Sequence, residues 1–139
     1  MQVEILSDPD ADFIDFISNK LSEFNWQNWE VNERLPLAAQ VKNDQGEVVA
    51  GATARTFGNW LLLDRLWVCE SQRGEGLGTQ LLQQVEAVAI ERGCQRALLD
   101  TLNFQAQPFY QRHGYETQWV QQDYPKTGCR YFMVKELTS

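Results

Sequence analysis

The most constraining feature of the chain is a segment in which closely spaced glycines separate a strand-like run from a helix-like run. Trp60–Val68 is apolar on both of its alternating faces, which is typical of a central β-strand. Leu61, Leu63 and Trp67 are expected to share one of these faces. The glycines that follow are Gly74, Gly76 and Gly78, and after them apolar residues recur at helical spacing. A further strand-like run comes next, so the segment predicts a strand–helix–strand crossover within a sheet.

The segments around this unit predict a mixed sheet with helices packed on it. Residues 3–6 alternate like a short strand, and residues 13–24 have helical spacing after candidate N-cap residues. Residues 26–34 are expected to be a loop or an irregular helix near the surface. Two β-like runs flank the turn-forming residues 43–46, which indicates a hairpin. Residues 94–102, 115–124 and 131–137 read as strands and residues 105–112 as a short helix. The predicted order is β-α, β-β-β-α, β-α, β-β.

Length and composition favour one cytoplasmic domain. The chain has 139 residues, about the usual length of a single domain, so we expect one domain over residues 1–139. No window approaches the roughly 18 apolar residues of a membrane span, and the first residues lack the basic flank and apolar core of a signal peptide. We therefore expect a cytoplasmic protein without a membrane partner.

Charge and residue counts exclude several classes of function. The three cysteines never form a C-x-x-C pair and there is one histidine, so we expect no metal site and no histidine-dependent triad. The net charge of −7 opposes binding to a nucleic acid. A cationic small molecule or a basic peptide is the more natural partner.

The position of the glycines has a chemical meaning. The N-terminus of a helix presents backbone N–H groups without intrahelical partners and the positive end of the helix dipole, which together favour an anion. Glycines placed just before the helix let the anion approach the backbone closely. The spacing G-x-G-x-G is neither the dinucleotide fingerprint nor a Walker loop. The segment therefore predicts a phosphate cradle of another type, with a simple tight turn as the alternative.

Two motifs resemble those of the GNAT superfamily of acyl-CoA-dependent N-acyltransferases. Residues 73–78, RGEGLG, resemble the family's R-x-x-G-x-G/A motif, and residues 103–116 resemble its N-x-x-A-x-x-F-Y-x-x-x-G-Y signature. The resemblance is strong over residues 60–116, weaker over the following residues to Leu137, and only architectural over the first half of the chain. It implies an α/β fold with a central mixed, mostly antiparallel sheet of about six to seven strands flanked by about four helices.

The resemblance also implies an activity and a set of cofactor contacts. The expected reaction is direct transfer of an acetyl group from acetyl-CoA to a primary amine of a small molecule or peptide within a ternary complex. The residues expected to bind acetyl-CoA are Leu66, Trp67, Val68, Arg73, Gly74, Glu75, Gly76, Leu77, Gly78, Thr79, Asn103, Phe109 and Tyr110. Among them, the loop amides would hold the pyrophosphate, a backbone N–H of residues 66–68 would stabilise the oxyanion, and Asn103 would bind the pantetheine arm or order the strands.

Two side chains are predicted to move protons. The resemblance implies that Tyr110 donates a proton to the departing thiolate, and a phenol, with an ordinary pKa near 10, is protonated at neutral pH. Asp64 is a candidate general base, because a carboxylate within an apolar strand is costly unless it has a partner or a function. Pairing of Asp64 with a neighbouring group is the structural alternative. Glu70, Asp100 and a water chain are rival bases.

Other interpretations of the chain stay open at this stage. It could be a non-catalytic acyl-CoA-binding or regulatory module, or a structural domain in which the glycine loop is only a turn. Acceptor choice is expected to depend on residues 13–34 and 122–124, which carry no readable motif. The apolar final strand, residues 131–134, would be compatible with a homodimer formed by pairing or swapping of late strands.

Overall fold

The structure is a computed structural model that describes residues 1–31 and 33–137. Its internal contacts divide the chain into two units, Met1–Asn32 and Glu33–Ser139. In the first unit, helix α1 spans Ala11–Asn28, and the side chain of Asp10 caps it by accepting a hydrogen bond of 2.8 Å from the amide of Phe13. The predicted N-terminal cap is therefore present.

One prediction for the first unit needs correction. Residues 3–6 form no strand, because four alternating residues are too short a pattern to specify a hydrogen-bonded neighbour. Of the loop and the helix that were predicted from residue 26, the helix is observed as far as Asn28, where α1 ends. The rings of Trp26 and Trp29 meet edge to face there, with centroids 5.3 Å apart.

The second unit contains a six-stranded sheet with the order β1-β2-β3-β4-β6-β5. Its elements are β1 Arg34–Lys42, β2 Val48–Phe57, β3 Trp60–Val68, a 3₁₀ turn Glu70–Gln72, α2 Leu77–Glu91, β4 Arg96–Leu102, α3 Gln107–Arg112, β5 Glu116–Gln122 and β6 Cys129–Glu136. Every neighbouring pair is antiparallel except β3 and β4, which are parallel. The predicted mixed, mostly antiparallel sheet is confirmed.

The number of helices is smaller than predicted. Across residues 1–31 and 33–137 the chain forms three α-helices and one 3₁₀ turn rather than about four helices. None of these helices is long and apolar enough to cross a membrane. Strand β6 lies between β4 and β5 and pairs with both of them.

The core lies where α2 crosses from β3 to β4. Buried residues recur along α2 at helical spacing, namely Leu81, Leu82, Val85 and Ala89, and the last three cluster with Ala52, Ala54, Leu61 and Leu63 of the sheet. Each fully buried leucine or valine side chain stabilises the fold by about 1.5–3 kcal/mol relative to its exposed state. The crossover that the glycine segment predicts is therefore the packing centre of this unit.

A β-bulge divides β3 into two halves. Thr53 pairs with Arg65 and Ala54 pairs with Leu63, which leaves Asp64 as an extra residue on β3. Because one extra residue reverses the alternation of a strand, Leu66 packs against the core while Trp67 is 50% exposed. The prediction that Trp67 shares a face with Leu61 and Leu63 is wrong for this reason.

Candidate active site

A cleft forms where β3 and β4 stop pairing. The two parallel strands are paired only from Trp60–Arg96 to Leu62–Leu98. Beyond that point lies a cleft of about 740 Å³. It brings together eight residues singled out in the sequence, namely Asp64, Leu66, Trp67, Val68, Arg73, Asp100, Phe109 and Tyr110. Residues that are up to 46 positions apart along the chain therefore line one cavity.

The glycine loop, residues 74–79, presents backbone amides at the start of α2. Gly74 and Gly76 have φ angles of +85° and +81°, and a Cβ atom added at either residue would meet nothing within 4 Å. The i→i−4 bond from the amide of Gln80 to the carbonyl of Gly76 is the first of α2. The amides of residues 77–79 therefore precede the helical hydrogen bonds and lie at the positive end of the helix.

Gly78 has a different role from the other two glycines. A Cβ atom at this position would lie 3.3 Å from Cζ of Phe109 and 3.8 Å from Cγ2 of Val68. The absence of a side chain thus allows α3 to pack closely on the first turn of α2. Of the three glycines, Gly74 and Gly76 leave space beside the loop, and Gly78 brings two elements of the site together.

Arg73 connects the loop to the end of β3. Its Nε donates a hydrogen bond of 3.1 Å to the carbonyl of Val68, and its side chain lines the cleft. Glu75 is exposed in the loop, and Leu77 is half-buried at the start of the helix. The cationic side chain and the loop amides surround the same end of the cleft, which suits an anionic group.

Thr79 and His113 form a contact that the sequence did not reveal. The Oγ1 atom of Thr79 lies 3.0 Å from Nε2 of His113, and the imidazole packs on Phe109 with centroids 4.7 Å apart. His113 occupies the C-cap of α3. A contact between residues 34 positions apart depends on how α3 is placed, for which no local pattern exists.

Tyr110 is buried at the wall of the cleft. Its side chain is 6% exposed and lies against Phe109 and Tyr115, with ring centroids 5.2 and 5.8 Å away. Burial, and after it the negative charge of Asp100, raises the pKa of Tyr110 to about 12. The phenol is therefore fully protonated at neutral pH and can donate a proton.

The two carboxylates of the cleft have different partners. Asp64, at the bulge, accepts a 2.6 Å hydrogen bond from Nη1 of Arg55 on the neighbouring strand. Asp100 is 3.9 Å from Nη1 of Arg130, a much longer ion pair. Glu70 lies in the exposed 3₁₀ turn and is not among the residues that line the cleft. Both arginine partners were missed in the sequence, because a cross-strand pair can be read only once the register is known.

Asn103 orders the junction between β4 and β6. Its backbone amide donates to the carbonyl of Cys129 at 3.0 Å, and its Oδ1 accepts from the amide of Cys129 at 3.1 Å. A Cβ atom at Gly128 would come within 2.7 Å of that Oδ1, so the close approach requires glycine there. Two roles were predicted for Asn103, binding of the pantetheine arm and ordering of the strands. In this structure its side-chain oxygen makes a hydrogen bond that orders the strands.

Comparisons with known proteins give the family of this site. Residues 3–115 match the model of the Acetyltransferase (GNAT) family. The chain is 39% identical over 111 residues to the Blasticidin-S acetyltransferase of Streptomyces morookaense, covering 77% of this chain and 82% of that protein. It is 33% identical over 112 residues to the acetyltransferase Atu2258 of Agrobacterium fabrum, covering 80% and 82%.

A solved structure agrees with these sequence relatives. An acetyltransferase from Bacillus cereus superimposes with a TM-score of 0.86 at 33% identity, covering 96% of this chain and 97% of the other. The family match spans far more than half of the chain and includes the glycine loop, β3, β4 and α3. The chain therefore belongs to the GNAT family of acetyltransferases and is an acyltransferase.

Proposed function

We propose that this acetyltransferase moves an acetyl group from acetyl-CoA directly to a primary amine of a small molecule or peptide within a ternary complex. The observation that carries the proposal is a single cleft in which Arg73, the β3 edge and the buried phenol of Tyr110 meet. The residues fit the cofactor, because Gly74 and Gly76 leave open space beside loop amides at the positive end of α2.

Different elements of the cleft are proposed to bind different parts of acetyl-CoA. The loop amides of residues 74–79 and Arg73 would hold the diphosphate. Strand β4 pairs with β3 only as far as Leu62, so the backbone of residues 66–68 offers donors and acceptors to an extended pantetheine arm. A backbone N–H in the same segment would stabilise the developing oxyanion. When bound, acetyl-CoA supplies an acetyl group activated as a thioester.

Tyr110 is the proposed proton donor to the departing sulfur. Its raised pKa keeps the phenol protonated over the whole neutral range, as a general acid requires. Burial against Phe109 and Tyr115 fixes the ring and restricts its access to water. The acid is therefore present in a defined position before the reaction begins.

Asp64 is the proposed general base, with Asp100 as the alternative. Arg55 binds one oxygen of Asp64 and fixes the orientation of its carboxylate at the bulge. Asp64 and Asp100 line the cleft from β3 and β4 respectively. Either carboxylate could take the ammonium proton directly or through one water, because an amine with a pKa near 10.4 must lose its proton before it attacks.

Substitution of each carboxylate separates these two candidates. If Asp64 is the base, Asp64→Asn should lower kcat/KM about 100-fold or more and remove the acidic limb of the pH–rate profile, whereas Asp100→Asn should retain that limb. The measurement is steady-state kinetics from pH 5.5 to 9.5 with saturating acetyl-CoA. An intact acidic limb in Asp64→Asn would reject Asp64, and loss of the limb in Asp100→Asn would assign the role to Asp100.

The acceptor is proposed to be a cationic small-molecule amine. The net charge of −7 favours such a substrate over an acidic one. Blasticidin-S, which gives the Streptomyces morookaense relative its name, is for this reason the first compound to test. Residues 122–124, at the end of β5 and the start of its connection to β6, are proposed to contribute to acceptor choice. A cytoplasmic location is proposed as well, consistent with the free thiols of Cys69, Cys94 and Cys129.

An acetylation assay tests the proposed function. The enzyme should release free thiol from acetyl-CoA only when an acceptor is present, and mass spectrometry should find the acetylated amine. A panel of Blasticidin-S, polyamines, amino acids and lysine peptides covers the acceptor classes. Acetyl-CoA at about 100 times its Kd should also stabilise the fold by about 2.7 kcal/mol and raise the Tm. Failure of acetyl-CoA and CoA to raise the Tm would overturn the proposal.

A further inference from the structure

The contact between Thr79 and His113 lies beside the loop that is proposed to bind the diphosphate. Thr79 is the third residue of α2, so its amide belongs to the set that precedes the first helical hydrogen bond. Its hydroxyl is 3.0 Å from Nε2 of His113 at the end of α3. His113 is half-buried, and it is the single histidine of the sequence.

The surroundings of His113 come from α3 and α2. From α3, the ring of Phe109 covers one side of the imidazole, and Arg112 precedes it in the chain. From α2, Thr79 is the polar neighbour, whereas Glu86 further along the helix bonds Tyr115 and Lys135. Over residues 1–31 and 33–137, His113 forms no ion pair with a carboxylate.

Protonation of the imidazole changes what the Thr79 hydroxyl can do. When Nε2 of a neutral ring is an acceptor, the hydroxyl of Thr79 must donate its hydrogen to the ring. An imidazolium donates from Nε2, so the oxygen of Thr79 becomes the acceptor and the hydroxyl hydrogen is released toward another partner. At the first turn of α2, an anion bound by the loop amides would be that partner.

We propose that His113 and Thr79 form a proton-controlled hydrogen-bond relay that strengthens the binding of the CoA diphosphate. The proposal rests on the proposed function, because it assumes that the diphosphate lies at the loop of residues 74–79. Protonated His113 adds a positive charge next to the site and frees one hydroxyl donor. Affinity for the diphosphate therefore increases as the pH falls and the imidazole gains a proton.

Calorimetric titration of the protein with 3′-dephospho-CoA tests the relay. This ligand is chosen because the 3′-phosphate of CoA is a monoester, whose own ionisation near pH 6 would obscure that of the histidine. For the unmodified protein we expect Kd to be about three- to tenfold lower at pH 5.5 than at pH 7.5. His113→Gln should bind with the same Kd at both pH values.

A matched pair of threonine variants isolates the hydroxyl. Thr79→Ser retains the hydroxyl and should keep the pH dependence of Kd, whereas Thr79→Val is close in shape and should lose most of it. Thermal melts of all variants show whether each is folded. A full pH dependence in Thr79→Val would overturn the relay, as would a Kd that does not change with pH in the unmodified protein.

Nuclear magnetic resonance supplies a readout that is independent of affinity. Since the sequence has one histidine, a single imidazole C–H signal reports its titration. Saturating 3′-dephospho-CoA should move the midpoint of this titration to higher pH in the unmodified protein and in Thr79→Ser, and less in Thr79→Val. An unchanged midpoint would reject the relay and leave the proposed function intact. Absence of binding at every pH, with acetyl-CoA as well, would reject both.

Discussion

The phenol of Tyr110 is the residue whose environment is best matched to a chemical task. It is buried, it lines the cleft, and its pKa is raised to about 12. Tyr110→Phe should lower kcat about 100-fold, because general-acid catalysis contributes about 10²–10⁴-fold, while the Kd of CoA changes less than about threefold. Kinetics and calorimetry on the same preparation measure the two quantities. An unchanged kcat would exclude Tyr110 as the acid.

The same residue predicts how stability depends on alkaline pH. Below pH 10 Tyr110 holds its proton in both the folded and the unfolded state. Between about pH 10 and pH 12 the unfolded state releases the proton and the folded state retains it. The free energy of unfolding should therefore fall with rising pH, by about 2–3 kcal/mol in total.

Urea denaturation at several pH values from 8 to 11 measures this decline. Tyr110→Phe should show a shallower decline than the unmodified protein, because one of the buried phenols is gone. Tyr124→Phe is a matched control, since Tyr124 is only partly buried and its ring contacts Arg130. Equal declines in Tyr110→Phe and in the unmodified protein would contradict the assignment. Burial and the charge of Glu86 also raise the pKa of Tyr115. Tyr115 therefore contributes to the decline of the unmodified protein and causes the decline that is left in Tyr110→Phe.

At the scale of elements, Gly78 controls how closely α2 and α3 approach each other. Gly78→Ala would place a Cβ atom 3.3 Å from Cζ of Phe109, so the aromatic ring must shift. We expect a loss of about 1–2 kcal/mol in the free energy of unfolding and weaker binding of CoA. Denaturation in urea and calorimetry provide the measurements.

A double-mutant cycle shows whether the Phe109 ring causes the effect. In the background of Phe109→Leu, which removes the ring edge, Gly78→Ala should cost at least about 0.5 kcal/mol less than it does alone. Additive effects of the two substitutions would mean that Gly78 is needed for another reason. Gly93→Ala is a useful comparison, because its cost comes from a φ of +91° without any neighbour within 4 Å.

The order of the elements could be predicted because each leaves a local pattern. Helical spacing, the hairpin residues 43–46 and the glycines before α2 gave the strands and the crossover from β3 to β4. The bulge at Asp64 was not predicted, because its bulged strand still looks like a continuous apolar alternation. Residues 3–6 are the opposite case, because they alternate between apolar and polar residues but belong to no strand of the sheet.

The site was predictable where it depends on backbone conformation and not where it depends on register. The residue type alone indicates the backbone conformation of Gly74 and Gly76, because a positive φ strongly favours glycine. The pairing of Arg55 with Asp64 requires knowledge of which residues face each other across two strands, and the contact of Thr79 with His113 requires the position of α3. Long-range partners of this kind leave no periodic signal in the chain.

At the scale of the whole molecule, the net charge of −7 should influence how fast a cationic acceptor arrives. Raising the ionic strength from about 0.02 to 0.3 M should lower kcat/KM for a polycationic amine severalfold, because the Debye length falls below about 10 Å. A neutral acceptor assayed in parallel with saturating acetyl-CoA is the control. Equal salt dependence for both acceptors would show that the charge of the molecule does not steer the substrate.

The extra residue at position 64 affects which positions of β3 can change when this acetyltransferase adapts to a new acceptor. It reverses the inward and outward alternation of β3 after residue 63. Leu61 and Leu63, before the bulge, are buried, so a substitution at either position must fill the hydrophobic interior equally well. Trp67, beyond the shift, is half-exposed and lines the cleft, so its side chain can vary without disturbing that interior. Position 67 is thus an adaptable position on a strand whose leucines fill the interior, and a new acceptor could be accommodated by changing this side chain alone.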